Sequence, residues 1–290
     1  MKLTVDRVSK HYGKKQALSG VSFEMDNGVY GLLGPNGAGK SSLIRILAGV
    51  MEASVGEVLV DGVNRKQCER EYRMKLGYLP QSLDFYPEFT GRDYLRYIAA
   101  LKGLKGMAVE RKINELAEQV RLTGDLERKC VHYSGGMKRR LGIAQSLLND
   151  PEILILDEPT AGLDPYERIK FRNLISFISR ERTVLLSTHI VSDIDSIAKE
   201  TVMIKAGKVG RMQSNEDFVK DMEGKVWLAR MPVDELVVYQ NDHLISHVMP
   251  AADGMEVRIV SDVKPFMHAV PTLPSLEDAY LHEFHSEVQG

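Results

Sequence analysis

The sequence predicts an α/β fold: a mostly parallel sheet core with antiparallel edge strands and a helical insertion, followed by a small α+β unit. Three observations predict it. The apolar run Val29 to Leu33 ends in a glycine-rich turn, Gly34-Pro35-Asn36-Gly37-Ala38-Gly39, and leads straight into an apolar-periodic segment from Lys40 to about Ala48. Three more short apolar segments, Lys75 to Leu79, Glu152 to Leu156 and Thr183 to Ser187, each close on a polar residue: Gln81, Asp157 and His189. Such runs suit strands covered on both faces of a parallel sheet. After about Met222 the pattern changes to alternating segments broken by Pro232.

The elements follow in order. Lys2 to Val8 and Val21 to Met25 alternate polar and apolar residues and read as half-buried strands near a sheet edge. Val29 to Leu33, the turn and the segment from Lys40 give the strand, loop and helix order that a phosphate-binding loop requires. Between 82 and 150 the reading is helical. Thr90 and Asp93 have the spacing of a capping box, and Tyr94, Ile98 and Leu101 recur at helical intervals. A second helix covers Val109 to Val120 and a third starts just after Gly136. Residues 1–222 thus form one domain with an insertion at about 82–150. In 223–290, Lys225 to Ala229, alternating Met255 to Val260 and a final helix from Ser275 to Phe284, capped by Ser275 and Asp278, form a small accessory domain.

Composition narrows the function. Hydrophobic residues make up 43% of the 290 and charged residues 27%, ordinary values for a globular protein. A net charge of −2 offers no basic surplus for nucleic acid. The longest apolar runs fall far short of the roughly 18 residues a spanning helix needs. The amino-terminal segment lacks the apolar core of a signal peptide, and Cys68 and Cys130 have no CxxC partner, so cytosolic residence and inert thiols are expected.

Gly34 to Ser41 satisfies GxxxxGK[ST]. Glycines let successive N–H groups face phosphates, the following helix N-terminus adds positive potential, Lys40 reaches the terminal phosphates and Ser41 is placed to ligate Mg²⁺. Asp157-Glu158 ends an apolar strand with two carboxylates, one to hold the metal through its water shell and one to orient and deprotonate an attacking water. Gln81 and His189 end two other strands. In open parallel sheets ligands bind beyond the carboxyl ends of the strands, so an amide bridging metal and water and an imidazole donating to the γ-phosphate are expected at the same rim. Tyr12 offers a π-face for adenine. Elsewhere the blander readings prevail. His282-Glu283-Phe284-His285 has one residue too few for HExxH, and His243, His247 and His268 show no ligand spacing. Lys138-Arg139-Arg140 reads as a solvated face or a partner contact. Leu83 to Phe89 either packs the helical insertion or helps form a groove for a membrane partner's helix.

With these motifs in sequence, the chain resembles the ATP-binding subunits of ABC transporters. Tyr12 resembles the adenine-stacking loop, Gly34 to Ser42 the Walker A motif, Gln81 the Q-loop and Tyr133-Ser134-Gly135-Gly136-Met137 the signature. Asp157-Glu158 is similar to the end of Walker B, Ala161 to Asp164 to the D-loop and His189 to the H-loop. Two departures stand out. The usual signature is LSGGQ, and here Tyr133 replaces leucine and Met137 replaces glutamine. Because the phosphate-facing atoms belong to Ser134 and to amides near Gly136, these changes are expected to leave ATP contact intact. The methionine, the run that follows it and Pro274-Ser275-Leu276-Glu277-Asp278-Ala279-Tyr280-Leu281 resemble the ATPases of type-2 exporters.

The resemblance implies a P-loop cassette and a Mg²⁺-ATPase whose two copies, identical or related, sandwich two ATP molecules. Gly34, Pro35, Asn36, Gly37, Ala38, Gly39, Lys40, Ser41 and Ser42 hold ATP in cis; Ser134, Gly135, Gly136 and Asp164 contact it in trans. Ser41, Gln81 and Asp157 hold Mg²⁺, while Glu158, His189, Lys40 and Gln81 carry catalysis. The expected partners are a separately encoded membrane permease and a second cassette, at the inner face of the cell membrane, with no nucleic acid. The rival readings are a soluble cassette ATPase acting on ribosomes or DNA, which resembles this chain less because it usually carries two cassettes or a long coiled-coil insertion, and a regulatory subunit without turnover.

Overall fold

The structure is a computed structural model that describes residues 1–252 and 254–285. Its contacts divide the chain into two units, Met1–Met212 and Gln213–Gly290, and each is described by itself. The first unit runs β1 (Leu3–Tyr12), β2 (Lys15–Met25), β3 (Gly28–Leu33), α1 (Lys40–Leu47), β4 (Val55–Val60), β5 (Val63–Asn64), α2 (Glu69–Lys75) and β6 (Leu76–Leu79). It continues through α3 (Gly91–Leu101), α4 (Met107–Gln119), α5 (Gly135–Leu147), β7 (Ile153–Asp157), α6 (Pro165–Ile178), β8 (Thr183–Thr188), β9 (Glu200–Lys205) and β10 (Lys208–Gln213).

Two sheets result. The larger has the order β10-β9-β3-β8-β7-β6, and β9, β3, β8, β7 and β6 pair in parallel. Its register aligns the strand ends: Leu33 lies opposite Thr188, Ser187 opposite Asp157, and Leu156 opposite Leu79. Gly34, His189, Asp157 and Gln81 therefore emerge along one rim. The alternating strands expected at the edge of this sheet instead form an antiparallel sheet of their own, β2-β1-β4-β5. The reason lies in their apolar sides. Leu3, Val5 and Phe23 share one core with Leu43, Ile44 and Leu47 of α1 and with Leu32, Ile155 and Leu185 of the parallel sheet, so α1 is buried among both sheets.

The helical insertion is α3, α4 and α5, which pack on one another, while α5 also packs on β6. Thr90 caps α3 in the expected reciprocal box with Asp93. Tyr94 Oη donates to Gln145 of α5, and Lys102 donates to Asn149, whose amide in turn reaches the carbonyls of Met74 (2.6 Å) and Leu76 (3.2 Å).

The second unit contains α7 (Asn215–Lys220), β11 (Val226–Met231), α8 (Val233–Tyr239), β12 (Leu244–Ala251), β13 (Gly254–Val260), β14 (Val270–Pro271) and α9 (Leu276–His285). Met222 falls inside this unit, just past α7, because α7 packs against α9. Its antiparallel sheet has the order β12-β13-β11-β14, over a small core of Ala229, Met231, Leu236, Val257, Ile259 and Ala269. Ser275 and Asp278 cap α9 reciprocally, as their spacing suggested.

Candidate functional site

The glycine-rich turn joins β3 to α1, and two of its glycines are dictated by space. At Gly39 φ is 108°, and an added Cβ would sit 2.7 Å from the Ala17 carbonyl oxygen; at Gly34 it would sit 2.3 Å from that of Ile204. Lys40 opens α1 and is 5% exposed. Its ammonium donates to the carbonyls of Gly34 (2.6 Å) and Pro35 (3.0 Å), so the side chain lies along the loop it follows. Burial lowers its pKa, against the nearby charges of Glu158 and Asp157, which raise it.

Asp157 is the last residue of β7 and is 2% exposed. The Ser187 hydroxyl, opposite it in register, donates to its Oδ1 at 2.7 Å and accepts from the Glu158 N–H at 3.0 Å. Burial pushes the Asp157 carboxyl up; Ser187 opposes this, and the Glu158 charge adds to it. Glu158 itself has φ 45°, the left-handed region that a non-glycine residue enters at a cost of about 1–3 kcal/mol. Its carboxylate is reached from both neighbouring strands. Gln81 Nε2 donates to Oε2 at 3.1 Å, and His189 Nδ1 lies 3.2 Å from Oε1. Two polar strand ends, Gln81 and His189, thus converge on the carboxylate that follows a third strand.

Beside them opens a cleft of about 710 Å³ whose lining includes Tyr12, Asn36, Lys40, Ser41, Gln81 and Glu158. Tyr12 stands at its edge, 44% exposed, with its hydroxyl donating to Met51 Sδ at 2.9 Å and 3.3 Å from Ser42 Oγ. The donor set at the rim is hard oxygen, from Ser41, Asp157 and the Gln81 amide, which suits Mg²⁺ held by few protein ligands plus phosphate and water. Among the described residues no group of three His, Cys, Asp or Glu forms a metal cluster. The His285 side chain lies outside them. His243 and His268 lie against Phe266 in the second unit.

Ser134, Gly135, Gly136 and Asp164 do not line this cleft. Ser134 is the N-cap of α5, its Oγ accepting from the Met137 N–H at 3.2 Å; Asp164 is the N-cap of α6, accepting from the Glu167 N–H at 2.8 Å. Ser134, Gly135 and Asp164 are exposed. The two unusual signature side chains point the other way. Tyr133 and Met137 are buried, and Tyr133 donates to the Asp125 carbonyl at 2.7 Å while burial pushes its phenol up to about 12.

One reading needs correction. Arg139, expected on a solvated face or at a partner contact, is 7% exposed and donates to backbone carbonyls at the rim. Position on α5 decides this: Arg139 lies one turn before Gly142, the helix position that meets Leu79 of β6, and so is turned toward the sheet. Burial lowers its guanidinium to about 10, despite the nearby charges of Asp157 and Glu158. Ser187 was also missed, although a serine ending an apolar strand beside the acidic one was a usable signal.

Fold and rim together define a nucleotide-binding protein of the P-loop class. A profile of the ABC transporter family matches residues 18–161. An uncharacterized ABC transporter ATP-binding protein of Bacillus subtilis, YxlF, is 31% identical over 299 residues, covering 98% of this chain and 100% of its own. The Nod factor export ATP-binding protein I of Rhizobium meliloti is 34% identical over 304 residues, covering 96% of this chain and 87% of its own. Among solved structures, an ATP-binding subunit of an ABC transporter superposes with a TM-score of 0.70 at 29% identity, over 83% of this chain and all of that one. A dimeric bacterial ABC transporter cassette shares the fold, with a TM-score of 0.67 at 24% identity over 73% of this chain and 98% of its own. The chain belongs to the ABC transporter family, as an ATP-binding subunit.

Proposed function

We propose that this chain is the Mg²⁺-dependent ATPase of an exporter, acting as a dimer at the inner face of the cell membrane on a separately encoded permease. The observation that carries the reading is the meeting of Gln81 and His189 on the Glu158 carboxylate beside the Lys40 loop. In this reading the loop amides and Lys40 bind the β- and γ-phosphates, and Lys40 exchanges the Gly34 and Pro35 carbonyls for phosphoryl oxygens. Ser41, Asp157 and Gln81 hold Mg²⁺. When bound, the metal supplies positive charge against the phosphoryl oxygens. Glu158 accepts a proton from the attacking water, and His189 supports the γ-phosphate while orienting Glu158 from the opposite side to Gln81. Most of the rate comes from this preorganised charge. Tyr12 stacks on the base.

Exposure of Ser134 and Gly135 away from the cleft supports their use in trans, on nucleotide held by a second copy or a related cassette. Closure of the dimer on ATP and its opening after hydrolysis then drive the permease through the helical insertion. There Tyr86, Phe89 and Tyr97 form an edge-packed aromatic group with Tyr86 51% exposed, which suits the docking of a permease helix, while Phe85 packs inward on Tyr94. The relatives named for Nod factor export support export as the direction. The test uses Glu158→Gln. With Mg-ATP this variant is expected to accumulate a stable dimer in light scattering and to release no phosphate; a variant that stays monomeric or hydrolyses ATP at the parental rate refutes the assigned roles.

A further inference from the structure

We infer that Arg139 is a positioning residue that locks the helix bearing Ser134 to both catalytic segments of its own chain, so that nucleotide engaged in trans by Ser134 to Gly136 sets the geometry of Gln81 and Glu158 in cis. The inference rests on the dimeric reading proposed above. One guanidinium spans two segments. Its Nε donates to the Pro159 carbonyl and its Nη2 to that of Asp157, both at 2.7 Å, and its Nη1 to those of Pro80 and Gln81, both at 3.1 Å. The first pair brackets Glu158 in sequence, and the second includes the backbone of Gln81.

No carboxylate is paired with Arg139 in these bonds. A buried cation satisfied wholly by carbonyl dipoles requires all its acceptors to be held in place, since a missing one leaves a desolvated donor. The planar fork is suited to this, and an ammonium cannot reach four carbonyls at once. Glu158 sits in a strained backbone region, so its side-chain direction depends on how the flanking peptides are anchored.

A second contact acts on the same segment. One turn along α5 lies Gly142, where an added Cβ would fall 2.2 Å from Leu83 Cδ1 and 2.7 Å from Leu79 Cδ1. The helix thus lies directly against residues on both sides of Gln81. From its Ser134 cap to Gly142, α5 is a continuous helix of about two turns, short enough to move as a rigid rod. A shift of Ser134 under a partner's phosphate is therefore transmitted to Gln81 and Glu158 without passing through the parallel sheet.

The experiment compares the full-length parent with Arg139→Gln and Arg139→Lys. The second keeps the charge and provides a folded variant if the first does not fold. Steady-state Mg-ATP hydrolysis gives kcat and the Hill coefficient, a fluorescent ATP analogue gives the monomer's affinity, and thermal melts report folding. Both variants are expected to lose kcat roughly 10- to 100-fold, the scale of a misplacement near 1 Å. Their Hill coefficients should fall toward unity with analogue affinity as in the parent, while the melting temperature falls because buried carbonyls lose their donor. Parental kcat and cooperativity in a folded variant overturn the inference. So does a loss of analogue affinity as large as the loss of kcat, which marks a purely structural role. A parent that hydrolyses no ATP, or does so without cooperativity, overturns the dimeric reading and this inference with it.

Discussion

Asp157 in the first unit and Asp278 in the second are equally withdrawn from water, at 2% and 1% exposed, but their surroundings push them in opposite directions. Burial raises both. At Asp157 burial is opposed by a single hydrogen bond from the Ser187 hydroxyl and reinforced by the nearby Glu158 charge, so its carboxyl stays above the usual range. At Asp278, Arg258 Nη2 at 2.7 Å, the Ser275 hydroxyl at 2.7 Å and the Ser246 hydroxyl at 2.8 Å together more than offset burial and hold the carboxyl below it. A carboxylate kept for structure is saturated with donors; one kept for an external cation is left with spare capacity. The contrast also gives the exporter-like tail motif a physical content: its aspartate clamps α9 to β13 through Arg258.

Glu158→Gln gives the largest expected effect at the unsaturated end of this contrast. Its single-turnover hydrolysis should fall by about 10²- to 10⁴-fold with little change in urea midpoint, because the amide still accepts from Gln81 and still faces His189. At the saturated end, Asp278→Ala strands Arg258 and should cost about 3–5 kcal/mol in the second unit. Trp227, the only tryptophan, lies in β11 and reports this unfolding by fluorescence. In the parent the Asp278 contribution is present above the ordinary aspartate pKa of about 4 and disappears as pH falls through the lower folded value. Asp157→Asn should move the other way. Its raised pKa means that the ionised form is penalised once pH exceeds that value, so the amide should stabilise the first unit at neutral pH by roughly 1 kcal/mol while stopping Mg²⁺-dependent turnover. A destabilised Asp157→Asn would break the comparison.

A last prediction extends the contrast to a cation. Burial lowers Lys102 from 10.5 to about 8, and its bond in the fold goes to a neutral amide, Asn149. The unfolded chain binds more protons between these values, so stability should rise with pH across that window. Lys102→Met should flatten the rise in pH-dependent melts; an unchanged slope would place its cause elsewhere.

Legibility followed pattern strength. Unbroken apolar strands and the loop between them revealed the parallel sheet and its rim, and Gln81, Asp157, Glu158 and His189 lie at the strand ends where the sequence put them. The antiparallel sheet was legible only in part. β1 has register shifts at Val5 and Val8 around Arg7, whose φ of 47° interrupts the alternation, and β2 begins six residues before its alternating stretch. β12 carries Pro250 and a bulge after Ile245, tolerated on an edge strand but invisible to a period-two pattern. The start of α6 was written plainly, as an aspartate cap followed by proline, yet Asp164 was read for its chemistry and not for its cap. Arg139 was hidden for a different reason. A cation that bonds only to backbone carbonyls has no partner side chain to betray it.

The opposed directions of Ser134 with Gly135 and of Tyr133 with Met137 divide the signature into two alphabets. In the dimeric reading proposed above, the outward letters are spelled for another molecule and answer to its phosphates. The inward letters are spelled for the chain's own interior, where volume decides and, at Tyr133, so does one hydrogen bond to the Asp125 carbonyl. A variant signature of this kind is a record of the neighbours against which its own helix is packed.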